Sequence, residues 1–291
     1  MEATSTPKRY SGRIFDAAAL EQVRGILRAH AGASRQQLSY RVCEALNWRK
    51  PDGGLKDMSC RVALLRLYRD GLIELPAPRR PYAPPRAYAR RTPPGEPGAE
   101  FAAPLSTLGP VRLEPVARGG SGLWNELIDR YHYLGYKPLP GAQLRYFAYA
   151  GERLVAVLGF GAAAWQVAPR DTWIGWSHAQ RQRNLAAVVN NARFLILPWI
   201  RVPHLASKLL GLAARTLPAQ WQARYGYRPW LLETFVEAER FSGICYQAAN
   251  WVCVGETQGR GKCGDHRLGQ VPVKTVWLYP LAADCRARLC R

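Results

Sequence analysis

The apolar positions near the start of the chain recur every three or four residues, which is the spacing of a helix with one buried face. Asp16 can cap a first such helix and Ser34 a second, because the side-chain oxygens of both residue types accept hydrogen bonds from helix N-terminal amides. A third helix is predicted over residues 55–70, and residues 72–75 predict a short strand. This order of elements is typical of a winged helix, a form of helix-turn-helix module, and predicts a small DNA-binding domain over residues 1–75.

In a module of this kind the third helix enters the major groove of DNA, and the loop before it contacts phosphate. The polar and basic side chains of that helix are therefore the predicted DNA contacts. They are Lys56, Ser59, Arg61 and Arg66. A three-helix bundle can equally bind another protein, so that alternative stays open.

Proline and arginine dominate residues 76–100. Because proline at this density excludes helix and central strand, the segment is predicted to be an extended linker. Its arginines, including Arg79 and Arg80, can follow a phosphate backbone. A solvated spacer explains the same composition.

A larger domain is predicted over residues 101–291. The turn Gly151-Glu152-Arg153 separates two apolar strands and predicts a hairpin. Strands that alternate with helices after this antiparallel start predict a mixed α/β sheet. The predicted helices cover residues 123–131, 179–189, 205–217 and 240–250, and the predicted strands cover residues 144–150, 154–163, 193–198, 230–236, 252–257 and 273–278.

The charge of the chain indicates a polyanionic partner. The sequence contains 41 Lys and Arg against 21 Asp and Glu, a formal net charge of +20 at pH 7, and the excess is present in both halves. Arginine provides most of it, and its planar fork of donors suits phosphates and base edges. We therefore expect the chain to bind double- or single-stranded DNA.

The cysteines of the chain are scattered and form no C-x-x-C pair, so a structural zinc site has little support. No signal peptide is recognisable, and such cysteines are most simply the reduced thiols of a cytoplasmic protein. No apolar run reaches the ~18 residues of a membrane span. A membrane partner is therefore not expected.

Short motifs follow one another between residues 120 and 262. Among them are His132-Tyr133-Leu134-Gly135, Asn190–Pro198, Leu232–Val236, Tyr246–Trp251 and Gly255–Gly261. In these motifs the chain resembles the DruA-like proteins, a family named for a component of the Druantia anti-phage defence system and related to domains that accompany transposases. The resemblance implies a bacterial protein that acts on DNA in defence or in element mobility, without indicating its chemistry.

The order hairpin, strand, helix, strand and a helix carrying Tyr246-x-x-Ala249-x-Trp251 is similar, more loosely, to the C-terminal half of the GNAT acyltransferase fold. In that fold a tyrosine at this place often protonates the departing coenzyme A thiol. The fold's glycine-rich pyrophosphate-binding turn has no counterpart here, because residues 201–207 contain no glycine and Pro203 removes an amide donor. The resemblance therefore implies a GNAT-like scaffold and disfavours acetyl-CoA as cofactor.

Tyr246 is the sharpest candidate for a catalytic residue. A tyrosine near arginines can attack a phosphodiester and form a phosphotyrosine link that conserves the energy of the bond. Arg193 can then stabilise charge on the phosphate, as can Arg260, and His132 can move the proton. The alternative is that Tyr246 packs its ring in the core.

Carboxylates provide a second possible chemistry. Asp171, Glu233 and Glu237 can converge on Mg²⁺, as two-metal cleavage of a phosphodiester requires. Glu233 lies in an otherwise apolar strand, where its burial requires a metal or a charged partner. An ion pair of Glu233 with Arg193 on the neighbouring strand explains the same residue without catalysis.

Further polar residues of the larger domain are predicted DNA contacts. Asn190 and Asn191 interrupt an apolar run and can bind bases or phosphate, or can cap the preceding helix. A glycine-rich basic loop and a basic helix supply the others. These are Arg260 and Lys262 in the loop, and Arg181 and Arg183 on the helix.

Three hypotheses follow from the sequence. The leading one is a DNA-binding protein that cleaves or transfers strands, in defence or in transposition, so that its status as an enzyme depends on the chemistry above. The second is a non-catalytic DNA-recognition subunit that recruits partner proteins of the same system. The third is a diverged GNAT-type acyltransferase. A homodimer is compatible with the symmetry of many DNA sites.

Overall fold

The computed structural model describes residues 8–51, 53–78, 91–259 and 272–291. They belong to two compact units, residues 1–86 and residues 87–291, and each has a hydrophobic core of its own. No helix in the described ranges is long and apolar enough to cross a membrane.

The described part of the N-terminal unit consists of a short hairpin followed by three helices. Both predicted helix caps are confirmed: the Asp16 side chain accepts from the amide of Ala19 at 2.8 Å, and Ser34 forms a reciprocal capping box with Gln37. The elements are strands β1 Lys8–Tyr10 and β2 Arg13–Phe15, and helices α1 Ala17–Ala29, α2 Arg35–Ala45 and α3 Asp57–Arg69.

The predicted strand over residues 72–75 is wrong, and the structure does not confirm a winged helix. The segment is irregular, although Ile73 is buried in the core of the unit. Arginine side chains bind the backbone oxygens of Leu72 and of Pro76, the residue that follows the segment. Arg24 donates to the oxygen of Leu72 through Nε at 3.0 Å and Nη2 at 2.9 Å, and Arg35 donates to the oxygen of Pro76 at 2.7 Å. The unit is therefore a three-helix bundle with an N-terminal hairpin.

The larger unit has the predicted mixed α/β sheet. Seven of the strands that the structure describes form it, in the order β10-β11-β9-β7-β6-β5-β4, and only β7 and β9 are parallel neighbours. These strands are β4 Val111–Pro115, β5 Gln143–Ala150, β6 Arg153–Ala162, β7 Val188–Ile196, β9 Leu231–Glu237, β10 Val252–Glu256 and β11 Lys274–Pro280. The short strands β3 Phe101–Ala102 and β8 Ile200–Arg201 pair separately.

Helices cover both faces of the sheet. The helices are α4 Ser121–Tyr131, α5 Ala168–Ile174, α6 His178–Asn184, α7 Leu205–Tyr225, α8 Ile244–Gln247 and α9 Cys285–Leu289. Gln220 of α7 accepts from the hydroxyl of Tyr146 on β5, whereas Trp124 of α4 packs over Gly159, which pairs with the preceding residue of β5, Arg145. Because successive side chains of a strand point to opposite faces, α7 and α4 lie on opposite sides of the sheet.

Several predicted boundaries differ from the structure; for example, the helix predicted over residues 205–217 continues to Tyr225. Helix α6 ends at Asn184, because Val188 and Val189 begin β7, in agreement with the strand preference of β-branched residues. The helix predicted over residues 240–250 is reduced to the four residues of α8. The predicted linker ends earlier, since Thr92 donates two hydrogen bonds to the buried carboxylate of Glu126.

Candidate functional site

A β-bulge in the middle of the sheet decides where the candidate residues point. Phe160 and Gly159 are consecutive on β6, but they pair with Asn191 and Arg193 on β7, so Ala192 is the extra residue. Asn191 and Arg193 therefore face opposite sides of the sheet. The Asn191 side-chain amide closes the bulge by donating to the oxygens of Gly159 at 3.3 Å and Arg193 at 3.2 Å.

Tyr246 lies on the α7 side of the sheet in a closed hydrogen-bond network. Its hydroxyl donates to Oδ1 of Asn191 at 2.9 Å, and the hydroxyl of Thr234 on β9 donates to the backbone oxygen of Asn191 at 3.0 Å. The network joins β7 and β9 directly after their paired stretch, Val188–Asn190 with Leu231–Glu233, ends. Burial raises the pKa of Tyr246 well above its ordinary value. This geometry matches the alternative interpretation of Tyr246 as a core residue.

Glu233 precedes Thr234 on β9, so its side chain points to the opposite face from Tyr246. There Arg170 of α5 bridges two carboxylates: its Nη1 is 2.7 Å from Oε2 of Glu233, and its Nε is 2.9 Å from Oδ1 of Asp171. Arg181 of α6 donates to the other oxygen of Asp171 at 2.9 Å. We call Arg170, Asp171, Arg181 and Glu233 the α5 cluster.

The α5 cluster corrects the predicted metal site. No group of His, Cys, Asp and Glu in the described residues is arranged to hold a metal ion. The oxygens of Asp171 and Glu233 accept hydrogen bonds from arginines and backbone amides, and Glu237 lies apart, 3.9 Å from Arg240. Glu233 does have a charged partner, but that partner is Arg170 and not Arg193. The donor set therefore does not fit Mg²⁺.

His132 and Arg193 do come together, on the α4 side of the sheet. Burial and the nearby Arg193 guanidinium lower the pKa of His132 to about 4, so the imidazole is neutral at pH 7. Burial also lowers the pKa of Arg193, whose Nε is buried with no hydrogen-bond partner among the described residues. The sheet thus separates these two residues from Tyr246, and the five predicted catalytic residues do not form one site.

Several predicted DNA contacts of the larger unit have other roles in the structure. Arg181 is buried in the α5 cluster, and Asn191 is buried at the bulge, so neither is available to DNA. Arg183 is exposed and donates to the backbone oxygen of Arg291 at 2.9 Å. Asn190 is half-buried, and its Oδ1 has no hydrogen-bond partner in the described ranges. Arg79, Arg80, Arg260 and Lys262 lie outside the described residues.

The predicted contacts of the N-terminal unit lie on or next to α3. Lys56 directly precedes the helix and is half-buried, and burial lowers its pKa. Ser59 is also half-buried, and Arg61 forms an ion pair with Asp57 at 3.0 Å. Arg66 is exposed. Of the four side chains, Arg66 is therefore the one best placed to bind a ligand.

Further exposed residues extend this part of α3. Met58 and Val62, two turns and one turn before Arg66, are 61% and 42% exposed. Arg66 and Arg69 line a shallow cavity of about 330 Å³ together with Arg9 of β1. We call this surface, formed by Met58, Val62, Arg66, Arg69 and Arg9, the α3 surface. It combines apolar and guanidinium groups, as surfaces that contact DNA do.

The sequence interpretation missed Arg170, Arg145 and Trp124. Arg170 lies in a segment for which no helix was predicted. Arg145 gave a usable signal, because it is a charged residue inside the apolar strand predicted over residues 144–150. Its neighbour across the sheet, Gly159, leaves the space that Trp124 fills.

The larger unit is thus an α/β protein built on a mixed sheet, and solved structures of acetyltransferases are similar to the chain at low identity. An N-acetyltransferase from Staphylococcus aureus Mu50 is 9% identical, with 60% of this chain and 99% of that chain covered and a TM-score of 0.35. A polyamine N-acetyltransferase of Drosophila melanogaster is 12% identical, with 59% of this chain and 100% of that chain covered and a TM-score of 0.37. Aminoglycoside acetyltransferase AAC(6')-Ib in complex with coenzyme A is 12% identical, with 62% of this chain and 98% of that chain covered and a TM-score of 0.40. With TM-scores below 0.5, these likenesses carry no conclusion about activity.

The family relationship is more specific. The family described as Druantia protein DruA matches residues 66–267, which is more than half of the chain. The chain belongs to this family. No curated protein matches it.

Proposed function

We propose that the chain is a DNA-recognition protein of a bacterial anti-phage defence system, and that it binds duplex DNA through the α3 surface without cutting it. Membership in the DruA family fits the defence-related role. Recruitment of partner proteins to the bound DNA then provides the antiviral effect.

The observation that carries the proposal is the composition of the α3 surface. Arg66 and Arg69 project from one helix beside Arg9, and the one acid that lines the same cavity, Asp70, accepts a hydrogen bond from Tyr10 at 2.6 Å. Basic side chains outnumber acidic ones roughly two to one in the described part of this unit, a balance that favours a polyanion. Guanidinium groups bind phosphate oxygens through charge-assisted hydrogen bonds.

Strand cleavage is not part of the proposal, because neither predicted chemistry is assembled. The hydroxyl of Tyr246 is buried and hydrogen-bonded to Asn191. Glu233 and Asp171 are held by Arg170. Acyl transfer is not proposed either. Tyr246 bridges β7 and β9 where their pairing ends, so its hydroxyl is already bound. Pro203 lies just before α7 and removes an amide donor at the place where the GNAT fold binds pyrophosphate.

The test is fluorescence anisotropy of a labelled duplex with wild type, Arg66→Gln and Arg69→Gln over a range of salt concentrations. We expect each variant to weaken binding roughly tenfold and to lower the slope of log affinity against log salt by about one, because each loses one phosphate contact.

Arg28→Gln is the matched control. Arg28 is exposed on α1 and paired with Glu21 at 2.6 Å, so its replacement removes the same charge from the same unit outside the α3 surface. Equal effects of all three variants would show that only net charge matters, and would overturn the assignment to α3.

A further inference from the structure

We propose that a cavity beside α4 in the larger unit binds a small phosphate-bearing ligand. The cavity has a volume of about 270 Å³, and its lining includes Ser121, Trp124 and Asn125 of α4, Leu139, and Arg145 of β5. We call it the α4 pocket. The proposal does not depend on DNA binding by the α3 surface.

The first argument is that Arg145 lacks a counter-charge. It is half-buried, and burial lowers its pKa, yet no carboxylate among the described residues pairs with it. The other buried or half-buried arginines of the larger unit, apart from Arg193, each pair with a carboxylate. The pairs are Arg112 with Glu114, Arg130 with Glu126, Arg170 with Glu233, Arg181 with Asp171, and Arg288 with Asp284. Because a desolvated cation without a partner is costly, an anionic ligand accounts for this exception.

The second argument is the direction of the hydrogen bonds in the pocket. Arg145 Nη1 donates to Oδ1 of Asn125 at 3.0 Å, and Nη2 donates to Oγ of Ser121 at 2.8 Å. The side-chain oxygens of Asn125 and Ser121 therefore accept from Arg145. The Asn125 amino group and the Ser121 hydroxyl hydrogen remain as donors. Helix α4 also begins at Ser121 without a side-chain cap, so its positive end adds to the same field. The pocket offers donors and positive charge, which suits an anion.

The third argument concerns the second arginine without a carboxylate. Arg145 and Arg193 both pair with Gly159 across β6, so they lie in one row of the sheet, and the Trp124 indole packs over the glycine between them. The guanidinium of Arg145 lies 5.3 Å from the Trp124 ring centroid. The two arginines reinforce the positive potential on this face of the sheet.

Size and lining define the class of ligand. The volume lies just below the ~300 Å³ at which small-molecule sites usually begin, so the ligand is small. The indole of Trp124 and the side chain of Leu139 provide an apolar wall beside the cation. A phosphate monoester with one attached ring system, as in a nucleoside monophosphate, fits this chemistry. It can come from a free nucleotide or from the 5′-phosphorylated end of a DNA strand.

Isothermal titration calorimetry with the full chain tests the proposal. The probes are inorganic phosphate, dAMP, deoxyadenosine, and one single-stranded oligonucleotide with and without a 5′-phosphate. We expect dAMP to bind and deoxyadenosine not to bind. If the 5′-phosphate does not increase the affinity of the oligonucleotide while dAMP binds, a free nucleotide is the source, and an increase on 5′-phosphorylation identifies a strand end.

Three variants locate the site. Arg145→Gln removes the cation, and Asn125→Asp introduces a nearly isosteric carboxylate that pairs with Arg145 and repels the ligand. We expect both variants to weaken dAMP binding at least about tenfold, because a charge-assisted contact is lost. Arg215→Gln, an exposed change on α7, should leave binding unchanged.

Asn125→Asp keeps the proposal testable if Arg145→Gln does not fold. We expect Asn125→Asp to raise the melting temperature of the ligand-free protein, since it supplies the missing counter-charge. The proposal is overturned if none of the phosphate-bearing probes binds wild type more tightly than Asn125→Asp, or if Asn125→Asp lowers the melting temperature.

Discussion

Two regions of the same sheet treat buried arginines in opposite ways. In the α5 cluster, Arg170 and Arg181 hold Asp171 and Glu233 in a network of contacts between 2.7 and 2.9 Å. Arg145 and Arg193 lie in the row of residues beside the α4 pocket. Among the described residues, the groups that accept hydrogen bonds from these two arginines are all neutral.

The presence or absence of a carboxylate partner distinguishes arginines that stabilise the fold from an arginine proposed to bind a ligand. A buried charge is tolerated when an opposite charge and hydrogen bonds compensate it, which the α5 cluster achieves within the chain. On the α4 side, the positive charges of Arg145 and Arg193 have no carboxylate partner among the described residues. Charged residues in apolar strands therefore need their partners identified before they are interpreted as catalytic.

The largest expected effect comes from removing a carboxylate of the α5 cluster. Glu233→Gln removes the more deeply buried of the two carboxylates that Arg170 bridges, and we expect a loss of about 3 kcal/mol in the free energy of unfolding because Asp171 remains as a partner. Urea unfolding followed by tryptophan fluorescence measures it, because all tryptophans but Trp48 lie in the larger unit. Glu237→Gln is the control: its partner is exposed and 3.9 Å away, so a loss below about 1 kcal/mol is expected. Equal losses would contradict the distinction.

An intermediate effect concerns His132 on the incompletely compensated side. The unfolded imidazole takes up a proton near pH 6.5, whereas the folded one stays neutral down to about pH 4. Unfolding between these values therefore takes up a proton, and acidification from pH 7 to pH 5 lowers the stability by about 2 kcal/mol through this residue.

Urea unfolding at both pH values checks this prediction. His132→Gln should lose about 2 kcal/mol less than wild type on acidification. His204→Asn, an exposed residue at φ 64° where asparagine is tolerated, should follow wild type. Parallel behaviour of all three proteins would mean that His132 is not shielded from water.

The smallest effect concerns Tyr246. Tyr246→Phe removes the hydrogen bond to Asn191 while the ring keeps its packing, so we expect a loss of about 1–2 kcal/mol in stability. DNA affinity, measured by anisotropy, should not change. A variant with wild-type stability and impaired action on DNA would restore Tyr246 as a catalytic candidate.

Much of the fold could be predicted because its signals are local. The caps at Asp16 and Ser34 and the hairpin turn at residues 151–153 depend on neighbouring residues only, and each forms as predicted. The strand predicted over residues 72–75 is wrong, and what holds this segment is not local: side chains of α1 and α2, distant in sequence, bind the backbone oxygens of Leu72 and Pro76.

The candidate site was less accessible, because its arrangement depends on pairing between distant segments. Asn191 and Arg193 are two residues apart, a spacing that places both side chains on one face of a regular strand. The bulge at Ala192 sends them to opposite faces, and only the pairing with β6 reveals it. Likewise Arg170, 63 positions before Glu233, gave no local sign of its role.

The most direct test of the proposed function measures binding and strand integrity in the same samples. Wild-type protein is incubated with labelled duplex and single-stranded DNA in Mg²⁺ or EDTA, and each sample is divided between anisotropy and denaturing electrophoresis. We predict tight binding of the duplex that weakens steeply with salt, with every strand intact. Strand cleavage lost in EDTA, or a denaturant-stable protein–DNA adduct lost in Tyr246→Phe, would contradict a non-catalytic DNA-recognition protein.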